Sequence, residues 1–272
     1  MVAEWDKTGS MHHPQCIHGD LNPEACAGSG VHPVPSDSDP VCCVIMETSG
    51  GIATRRPVMY FDLSSLPSST GYKLLVGLVA PRPIALVTSL SAGGQLNAAP
   101  FSAYNYLSTH PPIVGFGVAS HPGPPPRPKD TLRNIRATGE FVVNVVTEDL
   151  AEEMNICAID FPPEQSELDA AGLETTPSSA VKVPRIARAH AALECRLYSV
   201  LEVSDYSRIV LGQVISVYAE DRFIDPEGPY VRADELHAIG RMNGLGNYVR
   251  TRDAFFTLDR IRLEDWQAAR QK

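Results

Sequence analysis

The chain has 272 residues, 43% of them hydrophobic, enough for one sizeable core or one domain with appendages. Its formal net charge of −9 argues against a protein that binds nucleic acid by neutralising phosphates. No apolar run reaches the roughly 18 residues of a membrane helix, and the N-terminus, with Glu4 and Asp6, lacks a secretory apolar core. The expectation is a cytoplasmic protein with neither membrane nor nucleic-acid partner.

Residues 1–56 read as a disordered extension, rich in Pro, Gly and Ser and without a hydrophobic period. They carry Cys16, Cys26, Cys42 and Cys43 together with His12, His13, His18 and His32, which raises a metal site. No CxxC or HxxxH pair is present, so no metal is expected. Residues 57–272 read as one domain, whose apolar patterning starts at "VMYFDL", Val58–Leu63.

The first strand is predicted over Ile84–Ser89. A Gly93-Gly94 turn follows, and then Asn97-Ala98-Ala99-Pro100-Phe101-Ser102, a run too small to fill a core and too regular for a loop. A second strand spans Ile113–Val118. Between His121 and Pro128 five of eight residues are proline, a stiff excursion that delivers Lys129-Asp130-Thr131 to a fixed place. A helix over Thr131–Thr138 takes Asp130 as N-cap and Gly139 as its stop. Strands are expected at Phe141–Val146, Ala189–Tyr198, Ile209–Tyr218 and Phe255–Leu258, a helix at Glu148–Ile156 behind Thr147, and short helices at 233–239 and 262–270. Many strands with few helices and no strict βαβ alternation predict a mainly β fold, a closed or partly closed antiparallel barrel.

Several motifs dissolve on inspection. "GLGNYV", Gly244–Val249, begins like a dinucleotide fingerprint, but Val249 stands where the third glycine belongs. "SAVK", Ser179–Lys182, has the S-x-x-K spacing, but its "KTG" companion occurs only at Lys7–Gly9. His110, His190 and His237 are isolated and read as ordinary surface or packed residues. The remaining constellation is a strand ending in Thr88-Ser89, the small segment Asn97–Ser102 and the "KDT" opening a helix. The plain reading is a hairpin and a capped helix. The functional reading is a planar, phosphate-bearing ligand: small residues let it touch the main chain. Ser102, Lys129, Thr131 and the helix N–H groups would serve the phosphate.

"PRPIALVTS…GQLNAAPFSAYNYLSTHPPIV…KDTLRNIRATGEFVVNVV" resembles the flavin reductase-like family of FMN-binding split-barrel proteins. "SELDAAGLETTPS", "RIVLGQVISVY" and "IGRMNGLGNYVRTRDAFFTL" agree, and the likeness runs from Phe61 to Leu258. The resemblance implies an antiparallel, Greek-key split β-barrel with a few flanking helices, FMN as cofactor and NAD(P)H as electron donor. It implies that Asn97, Ala98, Ala99 and Phe101 line the flavin, that Ser102, Lys129 and Thr131 contact its phosphate, and that Thr88 and Ser89 end the strand beneath the ring. Arg241, Asn243 and Tyr248 match a late segment that reaches the pocket, often from a partner subunit, so a homodimer is implied. No catalytic acid, base or nucleophile is implied, because the flavin carries the chemistry. Members that supply free reduced flavin to a partner monooxygenase often carry an Asp-His pair where this chain has Tyr206-Ser207-Arg208. That departure leaves room for direct reduction of a small-molecule acceptor such as a nitroaromatic, with Arg208 or Arg241 facing a carboxylate or an NADPH phosphate. A flavin-binding electron carrier without catalysis is the alternative from another class.

Overall fold

The computed structural model describes residues 59–162, 165–253, 255–256, 258 and 262–263. The expected tail at 1–56 and most of the expected helix at 262–270 lie outside the described residues. Residues 63–272 make up one compact unit of the chain.

Its centre is a seven-stranded antiparallel sheet. The strands are β2 (Ala85–Leu90), β3 (Leu96–Phe101), β4 (Tyr104–Thr109), β5 (Pro112–Ala119), β6 (Glu140–Val145), β9 (Ala191–Ser204) and β10 (Ser207–Ala219). Their order is β3-β2-β6-β9-β10-β5-β4, which leaves β3 and β4 as edges. A small sheet joins β1 (Arg82–Pro83), β11 (Ile239–Arg241) and β12 (Tyr248–Arg250), and β7 (Thr175–Thr176) pairs β8 (Arg185–Ile186). Among the described residues, α-helices flank the strands at α1 (Ser68–Leu78), α2 (Asp130–Thr138), α3 (Ala151–Ile156), α4 (Glu167–Ala171) and α5 (Ala233–Leu236).

The sheet curls on itself. Phe101 on the edge strand β3 lies tilted against Phe116 of β5 with ring centroids 4.9 Å apart, and Phe116 meets Phe141 of β6 edge-on at 5.7 Å. Strands remote in the sheet order therefore share one interior, which Val87, Val114, Val143 and Val210 fill. Two residues of α2, Leu132 and Ile135, join that interior. The opposite pleat of β2 and β3, with Leu86 and Ala98, packs against Leu150, Met154 and Leu168 beside α3 and α4. This is a mainly β split barrel.

Five predicted strands are present within one to six residues of their expected ends. The large miss is β9, which runs on to Ser204 rather than stopping at Tyr198. Beyond Arg196 it pairs with β10 alone, and from Leu201 to Ser204 every residue is exposed, so the alternation loses contrast. Of the strand expected at Phe255–Leu258, Thr257 lies outside the described residues and the rest form no strand. Phe255, Phe256 and Leu258 are exposed and in no ladder, for apolar side chains make a strand only where a free backbone edge receives them. Asp130 is not an N-cap but the first helical residue of α2, where its carboxylate pairs with Arg133 at 2.7 Å. Lys129 occupies the cap position. Gly139 does end α2, at φ 72°, with its N–H on the Ile135 carbonyl. The helix expected over 148–156 opens with a single 3-10 turn before α3. The element α1 carried no sequence signal because it buries none of its residues.

Candidate functional site

The small-residue segment is the edge strand β3 itself. Antiparallel pairing spends the backbone of Asn97, Ala99 and Phe101 on β2 and turns that of Ala98 and Pro100 outward. The Ala98 N–H confirms the register: it points at the Glu167 carboxylate, 3.5 Å away. Pro100 stands at an outward position, where its missing N–H costs the ladder nothing. Its carbonyl is left on the open edge.

Two neighbouring clefts open along this edge, and Pro100 and Ala158 line both. The first, about 540 Å³ out to its mouth, is lined by Asn97, Ala99 and Phe101 of β3 and by Lys129 and Thr131 at the start of α2. The second, about 620 Å³, holds Ser102, Arg241 and Tyr248. Eight of the expected site residues are thus brought together, but Ser102 lines the opposite cleft from Lys129 and Thr131.

The other four stand back. Thr88 is fully buried and its hydroxyl donates to the Pro184 carbonyl at 2.8 Å. Ser89 is equally buried, in a polar network: Asn134 Nδ2 donates to Ser89 Oγ at 3.3 Å, and Thr131 Oγ1 donates to Asn97 Oδ1 at 3.0 Å. Asn97 Nδ2 donates in turn to Glu167 at 2.8 Å. These bonds fix α2 and α4 to β2 and β3, so the polar residues of "VTS" and "NAAPFS" mainly hold the walls of the first cleft in place. Ala98 is buried on the helix side of the sheet. Asn243 sits in the β11–β12 turn, its carbonyl accepting from Arg241 Nε at 3.2 Å.

The clefts differ in charge. The first is mixed, with Lys129 and His121 against Asp130, Asp160 and Glu167. The second is lined by Arg82 and Arg241 without a carboxylate, between Tyr72, Ile84, Met154 and Tyr248. Arg82 is committed to structure: its Nη1 donates to the carbonyls of Val76, Val79 and Met242 at 2.5–2.8 Å, tying the end of α1 to the β11–β12 hairpin. The Arg241 guanidinium lies over the Tyr248 ring, 4.6 Å from its centroid. Arg208, the other cation expected to face a ligand, is spent on Glu202, Ser120 and the Asp205 carbonyl. It lines neither cleft.

Sequence reasoning missed Arg82, Tyr72, His121, Asp160 and Glu167. An arginine held between two prolines at Pro81-Arg82-Pro83 was the available signal for the first. Tyr72 lies on the helix without a buried face, Asp160 comes from a loop and Glu167 from the first turn of α4, and the placement of both acids follows from packing alone. Cys157 lines the first cleft, but burial and the charges of Glu167 and Glu153 push its thiol up to about 12, so it stays protonated. Ser179 of the S-x-x-K match gives its hydroxyl to the buried Glu194 and serves the fold. The "GLGNYV" glycines form the β11–β12 turn, with Gly246 at φ 83°. Among the described residues no group of His, Cys, Asp and Glu has the makings of a metal site, and no helix is long and apolar enough to cross a membrane.

Residues 78–235 match the model of the flavin reductase like domain. The chain belongs to the flavin reductase-like family. It is 40% identical to a solved 2-nitrobenzoate 2-nitroreductase of Pseudomonas fluorescens, covering 74% of this chain and 96% of that one with a TM-score of 0.67. Nitrilotriacetate monooxygenase component B of Bacillus cereus is 29% identical, over 75% of this chain and all of that one, with a TM-score of 0.69. A Shewanella frigidimarina protein described as a flavin reductase with split barrel domain shares the fold at 20% identity, over 75% and 100% of the two chains and a TM-score of 0.64.

Proposed function

We propose that the protein is an FMN-dependent oxidoreductase that takes hydride from NAD(P)H and passes the electrons to a small-molecule acceptor. The observation that carries this reading is the edge of β3: small residues, an outward proline carbonyl, and a cation at each end in Lys129 and Arg241. That set of donors and acceptors fits a planar heterocycle bearing a phosphate. Lys129, Thr131 and the first N–H groups of α2 would hold the phosphate. Ala99, Pro100, Phe101 and Ser102 would line the ring system, with Arg241 and Tyr248 across from them. Thr88, Ser89 and Ala98 would support this wall from behind. Bound flavin supplies the hydride-accepting and electron-releasing chemistry. The chain's task is to bind, orient and tune it, and the protonated Cys157 takes no part as a nucleophile.

A second reading concerns the acceptor. The cleft holding Arg82 and Arg241 has apolar and aromatic walls and no acid, which favours an aromatic carboxylate. With the 40% identical nitroreductase, this supports direct reduction of a nitrobenzoate-like compound to the hydroxylamine, by two hydride equivalents. Release of reduced flavin to a partner monooxygenase is the rival fate. The cytoplasm, where NAD(P)H is kept, is the compartment either fate requires.

The test is steady-state oxidation of NADH and NADPH, with and without added FMN and 2-nitrobenzoate. Yellow protein whose turnover needs the nitro acid supports direct reduction. Turnover that scales with added FMN alone supports flavin release. A yellow protein inert toward both nucleotides leaves an electron carrier and overturns the enzyme reading.

We also propose a homodimer. The helix α1 exposes Tyr72, Leu75 and Leu78, and the β9–β10 arm exposes Tyr198, Leu201 and Val203, apolar surface that a second copy would cover. Light scattering should give about twice the 29.5 kDa of one chain.

A further inference from the structure

Of the three carboxylates lining the first cleft, two are committed to the fold. Asp130 pairs with Arg133 at 2.7 Å, and Glu167 accepts from Asn97 and faces the Ala98 N–H. The third, Asp160, is different. Its Oδ1 lies 3.1 Å from Lys129 Nζ and its Oδ2 lies 3.9 Å from His121 Nδ1. It thus lies within charge-pairing reach of both basic side chains of the cleft. His121 is held there by two main-chain bonds to Arg127, which close the proline-rich excursion and bring His121 close to Lys129. Asp160 itself rides on a short turn after α3, with the N–H of Phe161 on the Ile159 carbonyl at 3.0 Å.

We infer that Asp160 is an internal anion that holds the place of the flavin phosphate on Lys129 and His121, and so sets how strongly the protein prefers a phosphorylated flavin. The inference rests on the flavin reading above. A phosphate arriving at Lys129 meets a carboxylate already in position, and one anion must give way to the other. The carboxylate yields readily, since the Asp160 side chain is 66% exposed and Lys129 35%. Ion pairs this exposed are worth about two- to fivefold in an equilibrium constant. Riboflavin, which has no phosphate, never competes with Asp160. The consequence is an FMN that is held but exchangeable, with phosphate selectivity kept below what Lys129 and His121 alone would confer.

The test measures the dissociation constants of FMN and riboflavin by equilibrium dialysis for the full-length wild type, Asp160→Asn, Asp160→Glu, Lys129→Ala and the Asp160→Asn/Lys129→Ala double variant. Asp160→Asn should bind FMN about two- to fivefold more tightly and riboflavin unchanged. Asp160→Glu, which keeps the charge, should retain wild-type selectivity. Lys129→Ala should weaken FMN about tenfold or more, and in that background Asp160→Asn should give less than half of its gain. Equal effects on both flavins, or an FMN affinity unchanged by Asp160→Asn in a protein that binds FMN, overturn the inference alone. A wild type that binds neither flavin overturns the flavin reading and this inference with it.

Discussion

The residue that best separates a ligand wall from a core wall is Ala99. It is half-buried, contributes to the barrel interior only in part, and lines the first cleft beside Lys129. Its neighbour Ala98 is fully buried among Leu150, Met154 and Leu168. Enlarging the two should therefore have different outcomes. Ala99→Leu pushes its extra atoms into the cleft and should abolish FMN binding, read as loss of flavin absorbance in the purified protein. The melting temperature of its apo form should stay within about 3 °C of wild-type apo protein. Ala98→Leu overpacks a closed core and should lower that temperature instead. The sequence showed a small, regular segment whose plain reading was one arm of a hairpin. Which face met helices and which met a cleft was not readable, because both faces carry alanine.

At the scale of elements, the barrel depends on β10 passing close to the aromatic cluster. A Cβ built on Gly212 would sit 2.2 Å from Cζ of Phe141, a fully buried ring. That ring already stands edge-on to Phe116 and has no free volume to retreat into. Gly212 also lies at a register shift between β9 and β10. Gly212→Ala should destabilise the protein by about 1–3 kcal/mol, about 2–10 °C in Tm, with flavin affinity per folded molecule unchanged. Phe141→Leu in the same chain should recover part of the loss, a coupling that a double-mutant cycle measures. The strands themselves were legible from their β-branched and aromatic runs. The exposed strand β4 and the helix α1 were not, since neither has a buried face to impose a period on its sequence.

Across the whole molecule, stability in acid rests on carboxylates that the fold holds charged. The Arg188 guanidinium beside Glu153 holds its carboxyl below the ordinary value of 4.5, and the His190 ring does the same for Glu220 with help from Arg222. Burial would raise Asp149, but its bonds to Thr147 and His190 leave it lowered. In each case the folded-state value lies below the unfolded one. Their contribution is complete above 4.5 and is lost as pH falls through the folded values. Thermal melts should be nearly level above that point and drop below it. Glu153→Gln should show a shallower acid limb, and high salt should shrink the difference between the two proteins, because the pair with Arg188 is partly exposed.

What the sequence by itself determined is the β class, the small edge segment, the α2 stop at Gly139 and, through resemblance, the family. These are local in origin: alternation, turn residues and the run of small side chains can be read without knowing what lies opposite. Tertiary structure alone decided the allocation of polar groups. Thr88 and Ser89 look like ligand contacts along the chain, yet Pro184 and Asn134, far away in sequence, consume their hydroxyls. Arg208 looks free beside Tyr206-Ser207 until Glu202 folds back on it across the hairpin. Asp160 shows no motif at all, and only the packing of the turn after α3 places it on Lys129. The physical reason is the same throughout. A hydrogen bond or ion pair is claimed by whichever partner the fold brings within about 3 Å, and that partner need not be a neighbour in sequence.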